Sequence, residues 1–184
     1  MTDRPQPAGS LATALAHTQK LLAKSPVLAE EQAREILKAV PGQPIATLYL
    51  ALARRAQNDH AGAFTILEPL ARAHPNLSPV QYELGSVLAA LGKSRGAVLA
   101  FSRAASLEPD NPAPWRALGD QYTLLGEGKA ADHAYARQIK ASVNDPQLLE
   151  AASALCDNRL AVAERLLRDF VKANPTDVAA IRML

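Results

Sequence analysis

Ser78 to Asn111 reads SPVQYELGSVLAALGKSRGAVLAFSRAASLEPDN, and the stretch that follows, Pro112 to Asp145, reads PAPWRALGDQYTLLGEGKAADHAYARQIKASVND. Laid over one another at a step of 34 residues, they repeat their landmarks: Leu84-Gly85 falls on Leu118-Gly119, Leu88 on Tyr122, Ala97 on Ala131 and Phe101 on Tyr135. Pro41, Pro75 and Pro109 keep the same step of 34. A period of this length marks a chain built from stacked supersecondary units. Within each copy the apolar residues recur at helical spacing and a breaker sits midway, so each copy is predicted to be two antiparallel helices.

The breakers are themselves periodic. Asn58-Asp59, Gly92-Lys93, Gly126-Glu127 and Asp157-Asn158 mark inner turns, with a Gly or Asn suited to the left-handed residue that ends a helix. Ser78-Pro79, Asn111-Pro112 and Asp145-Pro146 place a capping side chain before a proline at a helix start, and Ser78 with Gln81 fits a capping box. Stepping back from Ser78, Leu50-Ala51, Ala63, Leu67 and Leu70 form an eroded copy in which Arg54 stands at an aromatic or Leu place. Ala16-His17, Ala29, Ala33 and Ile36 form a poorer, terminal one. Beyond Asp145 the spacing slips: Pro175 lies 66 residues after Pro109, two short of two repeats, with Ala163, Leu167 and Phe170 before it. The trimming is expected near Val143 to Pro146.

Trp115, Leu118-Gly119, Tyr122, Ala131 and Tyr135, with Phe101 and Pro109 in the copy before, resemble the W-x2-L-G-x2-Y, A-x3-F, P pattern of tetratricopeptide repeats. The implied fold is all-α, a right-handed superhelical solenoid of antiparallel helix pairs. Gly85, Gly119 and Ala97 are expected where paired helices approach too closely for a larger side chain. A single helix pair cannot bury its apolar stripe, so the pairs must stack, each touching its neighbours.

The expected organisation is a disordered tail over 1–9 and one solenoid over 10–184, with repeats at 10–43, 44–77, 78–111, 112–145 and 146–177 and the start of another at 178–184. Ile181 and Leu184 then lie in the first helix of that last repeat, an open apolar edge that points to a fragment of a longer protein.

Pro114-Trp115-Arg116-Ala117-Leu118-Gly119-Asp120, the run from Ala134 to Leu184, and Gln32 to Lys38 resemble the N-terminal helical region of bacterial tetratricopeptide-repeat sulfotransferases. Such proteins carry a C-terminal domain that uses 3'-phosphoadenosine 5'-phosphosulfate. The resemblance implies a sulfotransferase parent and assigns no catalytic residue to this chain.

Composition narrows the function classes. Of the 184 residues 48% are apolar but only 4% aromatic, so Ala and Leu fill the interior. Twenty Lys and Arg against eighteen Asp and Glu leave a net charge of +2 without long like-charge blocks, which gives no argument for nucleic acid. One cysteine, Cys156, excludes an intrachain disulfide framework. Met1 to Ser10 is polar and Pro-rich, and no run approaches the roughly 18 apolar residues of a membrane span. The chain reads as soluble and cytoplasmic, with no membrane partner.

Gly126-Glu127-Gly128-Lys129 lacks the first Gly and the Ser or Thr of a phosphate loop and reads as an inner turn. His17, His60, His74 and His133 show no ligand pairing, and Asp132 and His133 are adjacent on a helix, so their side chains diverge by about 100°. Cys156 reads as an inert thiol and Trp115 as a packing residue. No catalytic residue, cofactor or metal is expected.

That leaves a surface for a protein or peptide. In the first helix of the 78–111 copy, Gln81, Leu84 and Leu88 are expected inward, and Tyr82, Ser86 and Ala89 on the free face. The same register selects Leu48, Leu52 and Arg55 before it, Arg116, Asp120 and Thr123 after it, then Leu148, Ala152 and Leu155. The resemblance to tetratricopeptide repeats makes these the contacts of a concave groove. Self-association through the open repeat edge is the competing use of the molecule.

Overall fold

The computed structural model describes residues 10–184, and the tail expected over 1–9 lies outside them. Every described element is helical: α1 (Leu11–Lys24), α2 (Pro26–Ala39), α3 (Pro44–Ala56), α4 (His60–Ala73), α5 (Ser78–Ala90), α6 (Ser94–Leu107), α7 (Pro112–Leu124), α8 (Gly128–Ser142), α9 (Pro146–Cys156), α10 (Leu160–Ala173) and α11 (Val178–Met183).

The starts and stops have local causes. Asn111 caps α7 by accepting from the Ala113 N–H, Asp145 caps α9 by accepting from Gln147 and Leu148, and a proline follows each at the first helical position. Asn58, Gly92, Gly126 and Asn158 have positive φ, the left-handed conformation that ends a helix without a steric cost for Gly and with a small one for Asn. Ser78 departs from expectation. Helix α5 begins at Ser78 itself with Leu77 in the cap position, and the buried Gln81 donates from Nε2 to the carbonyls of Ala71 and Pro75, both at 3.3 Å. Gln81 thus fastens α5 to the end of α4.

The helices form two compact units, one ending at Leu91 and one beginning at Gly92. The boundary between the units falls at the inner turn of the 78–111 copy. Helix pairs that touch only their neighbours have no central core to bind the whole chain together.

In the first unit, α3 is packed against α1, α2, α4 and α5. Leu48, Ala51, Ala63, Leu67, Leu70, Val80 and Val87 form its apolar cluster. Ala29, Ala33 and Ile36 of α2 are buried as the repeat requires, but in α1 the buried residue is Thr18, while Ala16 and His17 are exposed. Helix α1 joins α2 through Ser25 alone, where α3 and α4 are joined by three residues, so α1 sits one residue out of the repeat register.

In the second unit, α7 lies between α6 and α8, α9 between α8 and α10, and α11 against α10. Val143, Leu148, Ala151, Leu167, Phe170 and Ala180 form its core cluster. The trimming after Asp145 is not in the turn near Val143 to Pro146. Starts of α7 and α9 keep the step of 34, whereas α9 has 11 residues against 13 in α3, α5 and α7. Helix α9 has lost the two residues.

Gly119 of α7 packs directly against the ring of Tyr135 of α8, so that an added Cβ would overlap it. The ring is held there by its hydroxyl, which donates to Asp120 Oδ1 at 2.9 Å. Gly119→Ala should therefore lower stability by about 1–3 kcal/mol in urea denaturation. In a Tyr135→Ala background the same substitution should be neutral or stabilising, since Ala exceeds Gly in a helix by up to about 1 kcal/mol. Equal costs in both backgrounds would show that the ring is not the obstacle.

Candidate protein-binding surface

The first helices were expected to leave one face free, and the two units differ in how far they do. In the first unit Leu48 is only 5% exposed and belongs to the apolar core, so it is not a contact residue. A helical wheel with one inward side assumes one neighbour, whereas α3 has neighbours all round. Leu52 is half-buried against the same cluster. Tyr82 and Ser86 are half-buried on α5, and the Ser86 hydroxyl donates to the Tyr82 carbonyl at 3.0 Å. Arg55 reaches from α3 to Glu83 of α5, Nε to Oε2 at 3.1 Å, an ion pair whose angle misses a hydrogen bond.

In the second unit Arg116, Asp120 and Thr123 are exposed together on α7. Asp120 accepts from Tyr135, and the Thr123 hydroxyl donates to the Gly119 carbonyl at 2.8 Å and lies 3.4 Å from the Tyr135 hydroxyl. Leu148 and Ala152, their register-mates on α9, are 3% and 0% exposed. The same physical reason applies, because α9 is enclosed by α8 and α10. Leu155 is half-buried and lines an open cavity of about 670 Å³ beside α8.

Trp115 is a packing residue: its indole N–H donates to the Pro109 carbonyl at 2.9 Å, and the Arg137 guanidinium stands 5.8 Å from its ring centre. Burial pushes the Cys156 thiol up, against the opposing pull of Arg137 and Lys140, so the thiolate needed for reaction is scarce at neutral pH. Gly126 and Glu127 lie in the turn into α8, which begins at Gly128. Among the described residues no three His, Cys, Asp or Glu side chains gather as a metal-binding group.

One cluster was not legible as a site. Arg54, at an eroded repeat position, donates from Nε to Glu30 Oε1 at 2.7 Å and from Nη1 to Asp59 Oδ2 at 2.8 Å. Arg34 donates to Glu30 Oε1 and Gln57 to Glu30 Oε2. The cluster ties α2 to α3 and to the turn before α4. An Arg in an apolar place, with Glu 24 residues before and Asp five after, was its only signal.

Its carboxylates respond to pH in a direction opposite to Glu83. Burial disfavours ionised Glu30, but hydrogen bonds from Arg34 and Gln57 and the charge of Arg54 outweigh it and hold its carboxyl below the usual range. Hydrogen bonding from Arg54 lowers Asp59 as well. Burial raises Glu83, whose side chain is 14% exposed, and the charge of Arg55 only partly offsets this.

Among solved structures the chain is similar to MamA. One MamA crystal structure superposes with a TM-score of 0.65 at 17% identity over 72% of this chain and 78% of that one. MamA from Desulfovibrio magneticus RS-1 gives 0.64 at 16% identity over 92% and 98%, and MamA AMB-1 gives 0.60 at 22% over 77% and 78%. Likeness at these identities carries the fold, which is all-α and of the tetratricopeptide-repeat type. No family model and no curated protein matches the sequence.

Glu30→Gln should destabilise by about 1 kcal/mol near neutral pH, the value of a partly solvated charged network. A depressed folded pKa gives stability that is present above the unfolded pKa and lost as pH falls through the folded one, so the difference should vanish in acid. Glu83→Gln should show the reverse slope. Its raised pKa makes wild-type stability fall as pH rises from the ordinary glutamate range to the raised value, so the variant gains relative to wild type over that window. Urea midpoints measured across pH test both, and parallel profiles for the two variants would contradict the assignment.

Proposed function

We propose that the chain is a non-catalytic scaffold that binds a polypeptide on the first helices of its pairs. The observation that carries this reading is the exposed trio Arg116, Asp120 and Thr123, held on a helix locked to α8 by the Gly119–Tyr135 packing. Rigid placement of polar side chains lowers the ordering cost of binding. In the first unit Tyr82, Ser86, Leu52 and Arg55 are the corresponding candidates. The likeness to MamA supports a repeat scaffold in preference to an enzyme.

Self-association is the second reading, and the exposed apolar side chains Ile181 and Leu184 favour it. A sulfotransferase parent rests on the sequence resemblance alone, and the coding sequence downstream of Leu184 tests it. A cytoplasmic location rests on the single cysteine, which fits a reducing compartment. No helix among the described residues is long and apolar enough to cross a membrane.

Arg116→Glu and Tyr82→Ala should each weaken capture of a partner about tenfold with unchanged helicity, since Arg and aromatic residues dominate interfaces. Leu118→Asp should unfold its repeat, because an unpaired buried carboxylate is costly. Retention of the same partners by both folded variants would remove the first-helix faces as the site. A light-scattering mass that rises with concentration would favour self-association.

A further inference from the structure

Arg55 of α3 and Glu83 of α5 set two opposite charges side by side where neighbouring first helices meet in the first unit. The repeat does not call for them. At the step of 34 the place of Arg55 is held by Ala89 and Thr123, and that of Glu83 by Tyr49, Ala117 and Ala151. Glu83 is the costlier of the two, since its side chain is only 14% exposed and burial raises its pKa against the pull of Arg55. A poorly aligned pair does not return that cost. Leu52, Tyr82 and Ser86, the other candidates of this face, are uncharged. An acid kept in a buried place beside one cation, on a face read as a binding surface, marks a recognition element.

The unmet hydrogen bonds define what the pair accepts. Nε of Arg55 and Oε2 of Glu83 face one another at 3.1 Å, are shut off from water and form no hydrogen bond. The two Nη atoms of Arg55 and Oε1 of Glu83 form none either among the described residues, and the Arg55 side chain is 40% exposed. Donor and acceptor therefore stand next to each other within reach of a partner. A cationic occupant is opposed by Arg55 and an anionic one by Glu83. A backbone peptide unit is trans and points its N–H and C=O in opposite directions, so it cannot serve a donor and an acceptor on one side. A primary carboxamide carries its carbonyl oxygen and NH2 on a single carbon and offers both along one edge.

We propose that Arg55 and Glu83 together bind the side-chain carboxamide of an Asn or Gln in a partner polypeptide, Arg55 donating to its oxygen and Glu83 accepting from its nitrogen. The proposal rests on the reading of the first helices as the binding face and names what that face recognises in the first unit.

Peptides panned from a random dodecamer phage library on the full chain, then resynthesised with a fluorescein label and titrated by anisotropy, test the pair. Those bound at this face should carry an Asn or Gln whose replacement by Leu, Asp or Lys weakens binding at least about tenfold, the value of hydrogen bonds to a charged group. Arg55→Ala and Glu83→Ala should weaken the parent peptide to a similar extent with unchanged helicity, because other repeats hold Ala89, Ala117 and Ala151 at these places. In the Glu83→Ala chain the Leu replacement in the peptide should cost no more than about threefold, since one of the two partners of the amide is gone. Should Glu83→Ala lose helicity, Glu83→Gln, of the same size, carries the same comparison. Equal cost of that replacement in the wild-type and variant chains, or selected peptides with no Asn or Gln that binding needs, would overturn the carboxamide assignment. Peptides indifferent to Arg55 and Glu83 but lost with Arg116→Glu or Tyr82→Ala would overturn the pair and keep the first-helix reading. Peptides indifferent to all four variants, or no saturable peptide below about 1 mM, would overturn both.

Discussion

A methyl group is all the space that the helices leave at Ala29, Ala63, Ala97, Ala131 and Ala163, each of which is 0–4% exposed. The first four recur every 34 residues and the fifth comes 32 later, so the close approach of the helices is the repeated constraint on which the fold depends. Once the second helix of each pair is held that near, the neighbouring Leu and Phe side chains interlock around it, as Leu67, Phe101 and Leu167 do. Gly119 is the extreme case, where even a methyl is excluded by the Tyr135 ring.

Close packing of this kind removes polar side chains from the interior unless they are matched, and the matched ones mark the joints between helices. Gln81 reaches the carbonyls at the end of α4, Trp115 reaches Pro109, and Arg54 joins Glu30 to Asp59. Arg55 and Glu83 are an imperfect pair, close in distance but poorly aligned, and burial raises the Glu83 pKa against the pull of the Arg55 charge. Of these joints, that of Trp115 lies on α7, the helix that displays the exposed Arg116, Asp120 and Thr123.

The fifth pair relaxes the constraint. Ala152 and Cys156 stand where Leu118 and Tyr122 stand one repeat earlier, and α9 is two residues shorter than α7. Here α9 is held to α10 by Ala151, Leu167 and Phe170, and the open cavity at its C-terminal end is lined by Leu155 and Cys156 together with side chains of α8 and Leu160 of α10.

Helix pairing, the step of 34, the left-handed turn residues Asn58, Gly92, Gly126 and Asn158, and the caps at Asn111 and Asp145 were all legible in the sequence. They are local: each depends on a few neighbouring residues and on backbone preferences that travel with the residue type. The burial of Leu48 and Leu148 was not legible, since a wheel shows which residues share a face but not how many helices cover it. Nor was the role of Arg54, whose partner Glu30 lies 24 residues away. The two-residue deficit could be counted from Pro109 to Pro175, but its place in α9 needed the helix bounds, and the cavity beside α8 needed the packing. Tertiary structure decided these because each depends on which surfaces meet across helices, and the meeting of surfaces is a property of the packed chain that no single repeat carries alone.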